Sequence, residues 1–285
     1  MSAEKQVIDA PSLQGLLKQL DALPTLPQVV RHILESINDD SANTDRLVRH
    51  INTDPAIVGR LLGAANSSAF GLASPVDSTR QAILVLGLSG VRTITLATAL
   101  IKHFSSSNTG LDAPQFWRHS LGVATCAQVI ARHFDCNPEA AFSAGLLHDI
   151  GQLLMSTVAP EHFSQVRARV QDGESITHAE MAIFNYDHAM VGGKLARQWR
   201  LPEDIICGIH GHHDPDSGID GEIGDLIHVA EVLSHALDLG KTPYNLVPEV
   251  SDMAPARLGF EWPELAGLFP EIEARYDGLR QALSL

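Results

Sequence analysis

Apolar residues recur along almost the whole chain at three- and four-residue spacing, the period of a helix that buries one face. In PQVVRHILESI, opened by Pro27, the residues Val29, Val30, Ile33, Leu34 and Ile37 share a side. The next stripe, through Leu47 and Ile51, follows a cap at Asn43 or Thr44. Asp54-Pro55 joins a cap to a first-turn proline and leads into AIVGRLLGAANSS. Ser78 and Ser89 each start a further helix, the first of which ends at Gly87 as a left-handed cap.

Residues 105–110, SSSNTG, are small and polar and read as a linker. Helical patterns resume in FWRHSLGVATCAQVIARHF, PEAAFSAGLLHDIGQLLMSTV, EHFSQVRARVQDG, HAMVGGKLARQW, PEDIICGIHG and GDLIHVAEVLSHAL. Thr177 with Glu180 has the spacing of a capping box. Beyond Lys241 prolines are more frequent, and the chain ends in the amphipathic stretch PELAGLFPEIEARYDGLRQAL. Strand-like alternation is nearly absent. The expected fold class is all-α: a tail over 1–12, a helical bundle over 13–104, the linker, a second helical domain over 111–240, and a helical extension over 241–285.

Bulk properties narrow the functional classes. A length of 285 residues suits two packed units, and 45% hydrophobic residues suffice for a core. The net charge is −14 with no compensating basic cluster, so no stripe is available to neutralise phosphates, and direct nucleic-acid binding is not expected. An acidic surface likewise disfavours an anionic membrane. No apolar run is expected to approach the length needed to cross a bilayer, and MSAEKQVIDAPS lacks the basic-then-apolar layout of a secretory signal, which points to the cytoplasm. Cys126, Cys136 and Cys207 form no C-x-x-C pair and read as small hydrophobes rather than disulfides or a zinc ribbon.

Histidine is unusually abundant, at 14 residues, most of them from His119 onward. The segment AAFSAGLLHDIGQLLM is apolar almost all round, as in a helix at the centre of a domain, yet it contains His148 and Asp149. A buried carboxylate needs a cation or strong donors, and no Lys or Arg lies within a turn on either side. A metal ion or a buried histidine cluster is the remaining partner. His119, His188, His212, His213 and the inward-facing Glu231 are further donors, of the imidazole and carboxylate type that suits Fe, Mn, Zn or Ni.

Taken singly, each has a plainer reading. His119 could be a core histidine, and His148-Asp149 a hydrogen-bonded pair. His188 could be a first-turn residue behind the Asp187 cap, and His212-His213 could satisfy helix C-terminal carbonyls. Glu231 could pair with a neighbouring side chain. His50, His103, His133, His162, His178, His210, His228 and His235 are taken as structural or surface residues, and Gly192-Gly193 as close helix packing.

The strings FWRHS, GLLHDIG, DHAMVGGKL with WRLP, and IHGHH resemble the HD superfamily of metal-dependent phosphohydrolases. LPTLPQVV, TDPAIVGRLLGAANSSAFG and QAILVLGLSGVRTITLATAL, in the first half, resemble the HDOD family, bacterial signalling-output modules related to HD domains in which catalytic residues are often degraded. The two resemblances together span roughly residues 13–240. They imply an N-terminal helical bundle packed on an HD-like helical domain. They also imply a metal site made of His119, His148, Asp149, His188, His212, His213 and Glu231, holding one or two divalent transition-metal ions.

Three positions depart from the pattern of active relatives. Gln152 stands where they carry a lysine, Gln115 where they carry an acidic ligand, and DPDSGIDGEIGD follows His213 where the phosphodiesterase branch has a glycine-tyrosine-proline signature. The expected function is therefore a non-catalytic regulatory module with no catalytic residues of its own, acting through signalling proteins or a nucleotide ligand. The alternative is a phosphohydrolase acting on a nucleotide or cyclic dinucleotide.

Overall fold

The computed structural model describes residues 10–19, 26–35, 44–66, 74–104, 111–134, 136–217, 221–241, 247–248 and 250–285. The expected linker at 105–110 and most of the 1–12 tail lie outside them. Among the described residues the regular elements are all helical, as the periodicity requires. Five come first: α1 (Leu13–Lys18), α2 (Gln28–Glu35), α3 (Thr44–Asn52), α4 (Pro55–Ala65) and α5 (Thr79–Phe104). They are followed by α6 (Ala113–Ala131), α7 (Pro138–Leu147), α8 (Ile150–Val158), α9 (Pro160–Gln171), α10 (Ile176–Phe184), α11 (His188–Gln198), α12 (Glu203–Gly211) and α13 (Gly221–Ala236). The C-terminal part forms α14 (Met253–Arg257), α15 (Trp262–Leu265) and α16 (Phe269–Leu283).

Local chemistry sets several boundaries. Asp54 caps α4 by accepting from the Ala56 amide at 2.9 Å, with Pro55 in the first turn. Asn137 does the same for α7 through the Glu139 and Ala140 amides. Gly87 breaks the helical backbone inside α5 at φ 73° and ψ 165°, a region open essentially only to glycine, so α5 is two helices joined across a kink at the residue where the sequence places the stop. α5 is also long and apolar enough to cross a membrane, which corrects the expectation that no apolar run approaches that length. More than half of its apolar window is buried inside the protein, as in a core helix.

Two further expectations are corrected. The HDIG segment is not one continuous helix: α7 ends at Leu147, α8 begins at Ile150, and His148-Asp149 form the joint between them. The Thr177–Glu180 capping box does not form either. Ser175 caps α10 by accepting from the His178 amide, and Glu180 turns into the interior.

The core is centred on α6, which packs against α7 and α13, while α12 lies against α7, α11 and α13. α11 also packs on α8, and their approach is close enough that a Cβ on Gly151 would collide with the His188 carbonyl oxygen. Gly192 and Gly193 face Ile209 and His210 of α12, which bears out the packing role read for them. On the N-terminal side α2, α3 and α4 gather on α5, and α5 touches α7. The C-terminal α16 lies across α4, α5 and α6, so one apolar cluster runs from Leu16 to Leu283.

Candidate metal centre

Five structural elements converge on one buried point. α6 supplies His119, and the α7–α8 joint supplies His148 and Asp149. His188 is the first residue of α11, His212 caps the end of α12 with His213 just beyond it, and α13 supplies Glu231. Asp149, His188, His212 and His213 each offer a donor atom within 4.8 Å of the others, and His119, His148 and Glu231 form a second such group. All seven positions singled out in the sequence are thus brought together, five of them buried and His119 and His213 partly so.

Asp149 faces both groups. Its Oδ1 lies 2.9 Å from His188 Nε2, and its Oδ2 lies 3.4 Å from His148 Nε2 and 3.5 Å from His119 Nε2. His188 Nε2 is also 2.9 Å from His213 Nε2 and 3.4 Å from His212 Nε2. Glu231 Oε2 stands 3.9 Å from His213 Nδ1.

Backbone carbonyls orient two of the rings. His148 Nδ1 donates to the Gly145 carbonyl at 2.7 Å, and His212 Nδ1 donates to the Ile209 carbonyl at 2.8 Å. In a neutral imidazole this leaves the Nε2 lone pair turned toward the cluster. His148 Nε2 and Glu231 Oε2 are buried and have no hydrogen-bond partner. Buried polar atoms are normally satisfied, so a convergent set containing two such orphans fits a cation better than it fits a closed hydrogen-bond network.

Electrostatics point the same way. Burial pushes the Glu231 carboxyl up to about 7, and burial pulls the His119 imidazole down to about 3. Burial likewise holds His212 and His213 well below the ordinary histidine value. Burial would raise Asp149, but the neighbouring His148 and His188 outweigh it and hold this carboxyl well below the usual range. His188 is pushed down by burial and more strongly up by Glu180 and Asp149, so it keeps a proton between two carboxylates. His148 is likewise pushed down by burial and more strongly up by Asp149 and Glu231. His119, His212 and His213 are thus held as neutral imidazoles, while His148 and His188 are drawn toward the protonated form by carboxylates that have no Lys or Arg partner among the described residues, a donor set whose protons a divalent transition metal would replace.

A cavity of about 600 Å³ opens onto the cluster. His119, Asp149, His213 and Glu231 form part of its wall, together with Gln152, Glu174, His178, His228 and His235. Among its described lining residues there is no Lys or Arg. His178, His228 and His235 were read from the sequence as structural or surface residues; the structure places them at this cavity. The His235 ring packs against that of His119, with centroids 4.9 Å apart and planes tilted by 53°. His228 Nδ1 donates to the His212 carbonyl at 2.8 Å, while its Nε2 accepts from the Ser251 amide at 3.1 Å. Glu180 was missed altogether as a site residue. The signal available for it was a carboxylate flanked by apolar residues in HAEMAIF, eight positions before His188.

A family model described as HDOD domain matches residues 23–215. Over 240 residues the chain is 25% identical to an uncharacterised protein of Treponema pallidum, covering 82% of this chain and 46% of that protein. Over 218 residues it is 24% identical to ribonuclease Y of Lawsonia intracellularis, covering 75% of this chain and 33% of the relative. The chain thus spans less than half the length of these curated relatives. A solved structure of an HDOD domain protein of unknown function from Geobacter sulfurreducens aligns with a TM-score of 0.75 at 26% identity, covering 94% of this chain and 97% of that one.

Proposed function

The chain belongs to the HDOD domain family, and from that premise we propose that it is a regulatory module built around a divalent-metal centre and does not itself turn over a phosphoester. His119, His148, Asp149, His188, His212, His213 and Glu231 are the proposed ligands. The two donor groups, with Asp149 facing both, suit one or two ions of Fe, Mn, Zn or Ni. The metal in this reading ties α6, the α7–α8 joint, α11, α12 and α13 into one arrangement, which a nucleotide or a signalling protein then reads.

The observation that carries the non-catalytic reading is the cavity wall. A phosphoryl group entering it meets Asp149, Glu174 and Glu231 and no Lys or Arg among the described residues. Catalysis at a phosphoester depends on cationic groups aimed at the charge that develops in the transition state. Gln152 lines the cavity where the resemblance to active relatives implies a lysine, and an uncharged amide supplies little of that stabilisation.

The second reading, a metal-dependent phosphohydrolase, draws support from the two adjoining donor groups and from the relatives that bear the name ribonuclease Y. A bound metal would supply an activated water and polarise a phosphoryl oxygen. The side chains would hold that ion, with Gln152, His178 and His235 lining the cavity through which a substrate would reach it.

The two readings separate in a turnover assay. The untagged protein, loaded with Mn²⁺ or Fe²⁺, is presented with bis-p-nitrophenyl phosphate, a cyclic dinucleotide and a short RNA. The regulatory reading predicts no hydrolysis above that of the Asp149→Ala variant. Turnover that vanishes in Asp149→Ala establishes the enzyme instead.

A further inference from the structure

Glu180 is fully buried on α10 with no Lys or Arg bonded to it, a placement that folding alone disfavours. Its Oε2 accepts twice from the same residue, from the His188 amide at 2.9 Å and from His188 Nδ1 at 2.7 Å. Its other oxygen, Oε1, has no hydrogen-bond partner. The left-handed turn at Asn185 ends α10 and sends the chain back, and the Asp187 cap then starts α11, so the reversal delivers His188 to a carboxylate eight residues behind it.

We propose that Glu180 is the positioning residue of the centre: it fixes His188 as the Nδ1–H tautomer and aims Nε2 at the point shared by Asp149, His212 and His213. The inference rests on the metal reading above and extends it to a residue outside the ligand set. His188 is the one ring of its group held by an anion. His212 donates its Nδ1 hydrogen to a carbonyl, and no comparable bond fixes His213, whose Nδ1 lies 3.9 Å from Glu231. A carboxylate behind an imidazole raises the basicity of the distal nitrogen and holds the ring plane, so its loss weakens metal binding although it touches no metal. The double acceptance also couples the ring to the backbone of its own helix start, so side chain and α11 are set by one oxygen.

Co²⁺ titration of the untagged protein, followed by visible absorption and by competition with a chelator, tests this. Glu180→Gln keeps a carbonyl oxygen for both His188 hydrogens and removes only the charge; Glu180→Ala removes the anchor. Glu180→Gln is expected to weaken Co²⁺ binding roughly 10- to 100-fold while circular dichroism stays that of the wild type. Glu180→Ala is expected to lose at least as much. A purely structural Glu180 predicts the opposite, with Glu180→Gln binding Co²⁺ as tightly as the wild type, and that result overturns the proposal while leaving the metal centre standing. Wild-type protein that takes up no Co²⁺ overturns the metal reading and this inference together.

Imidazole ¹⁵N shifts of the Zn²⁺-loaded wild type supply a readout that needs no variant to fold. His188 protonated at Nδ1 and ligated through Nε2 is the expected pattern. Ligation through Nδ1, or a free His188 ring, refutes the proposal.

Discussion

At the scale of single residues, the centre is governed by carboxylates without Lys or Arg partners. Asp149 and Glu180 stand on either side of His188, and the proton on that imidazole is what balances them when no metal is bound. A cation taking His188 Nε2 must displace that proton, so binding is expected to release about one proton from this residue. Apparent metal affinity therefore rises with pH until His188 is deprotonated in the metal-free protein, and that point lies above the ordinary histidine range. Titration calorimetry in buffers of different ionisation enthalpy counts the proton. A pH-independent affinity would remove His188 from the ligand set. The same raised pKa makes a stability statement for the metal-free protein. The His188 contribution is fully present below the unfolded histidine pKa and is lost as pH rises through the elevated folded one.

At the scale of elements, two glycines decide how helices run: Gly151 where α8 meets α11 at the candidate site, and Gly87 at the kink within α5. Gly151 lets α8 lie directly against the start of α11, and Gly151→Ala drives a Cβ into the His188 carbonyl oxygen. Backbone cannot yield there as a flexible side chain would, so a loss of roughly 1–3 kcal/mol in urea unfolding is expected, with weaker metal uptake because His188 moves. Gly87→Ala meets no steric neighbour, yet its backbone conformation alone is expected to cost about 1–3 kcal/mol without changing metal affinity. Equal metal loss in both variants would break the link between the α8–α11 contact and the centre.

The helices themselves were legible because their apolar stripes, caps and prolines are local signals. The seven clustered residues were legible because they fall at the motif positions of the superfamily that the sequence resembles. The break at His148-Asp149 was hidden, because a buried helix and a buried helix–joint–helix share the same unbroken apolar composition. The destination of Glu180 was hidden for a related reason: its spacing to Thr177 imitates a capping box, and only tertiary folding brings it to His188. His178, His228 and His235 carry no local signal, since the cavity they line is made by packing α6, α10 and α13 around the α7–α8 joint.

At the scale of the whole molecule, the segment beyond the family match is joined to the centre. Arg257 on α14 grips Asp225 of α13 through two bonds, at 2.7 and 2.6 Å, and also holds the Pro215 carbonyl. Ser251 binds Asp216 and donates its amide to His228, which in turn holds the His212 carbonyl. Val247 and Pro248 complete a wall of the cavity. The C-terminal part thus braces the α12–α13 side of the site, while α16 spans the N-terminal helices. A metal that binds only this folded arrangement stabilises all of it, by an amount set by its concentration relative to its dissociation constant. The most direct test of the central claim is the metal content of untagged protein, measured by mass spectrometry after exchange into metal-free buffer. The metal-centre reading predicts roughly one to two equivalents of a transition metal per chain, absent from Asp149→Ala. A wild-type protein that emerges without metal, and takes up none of Mn²⁺, Fe²⁺, Ni²⁺ or Zn²⁺, contradicts it.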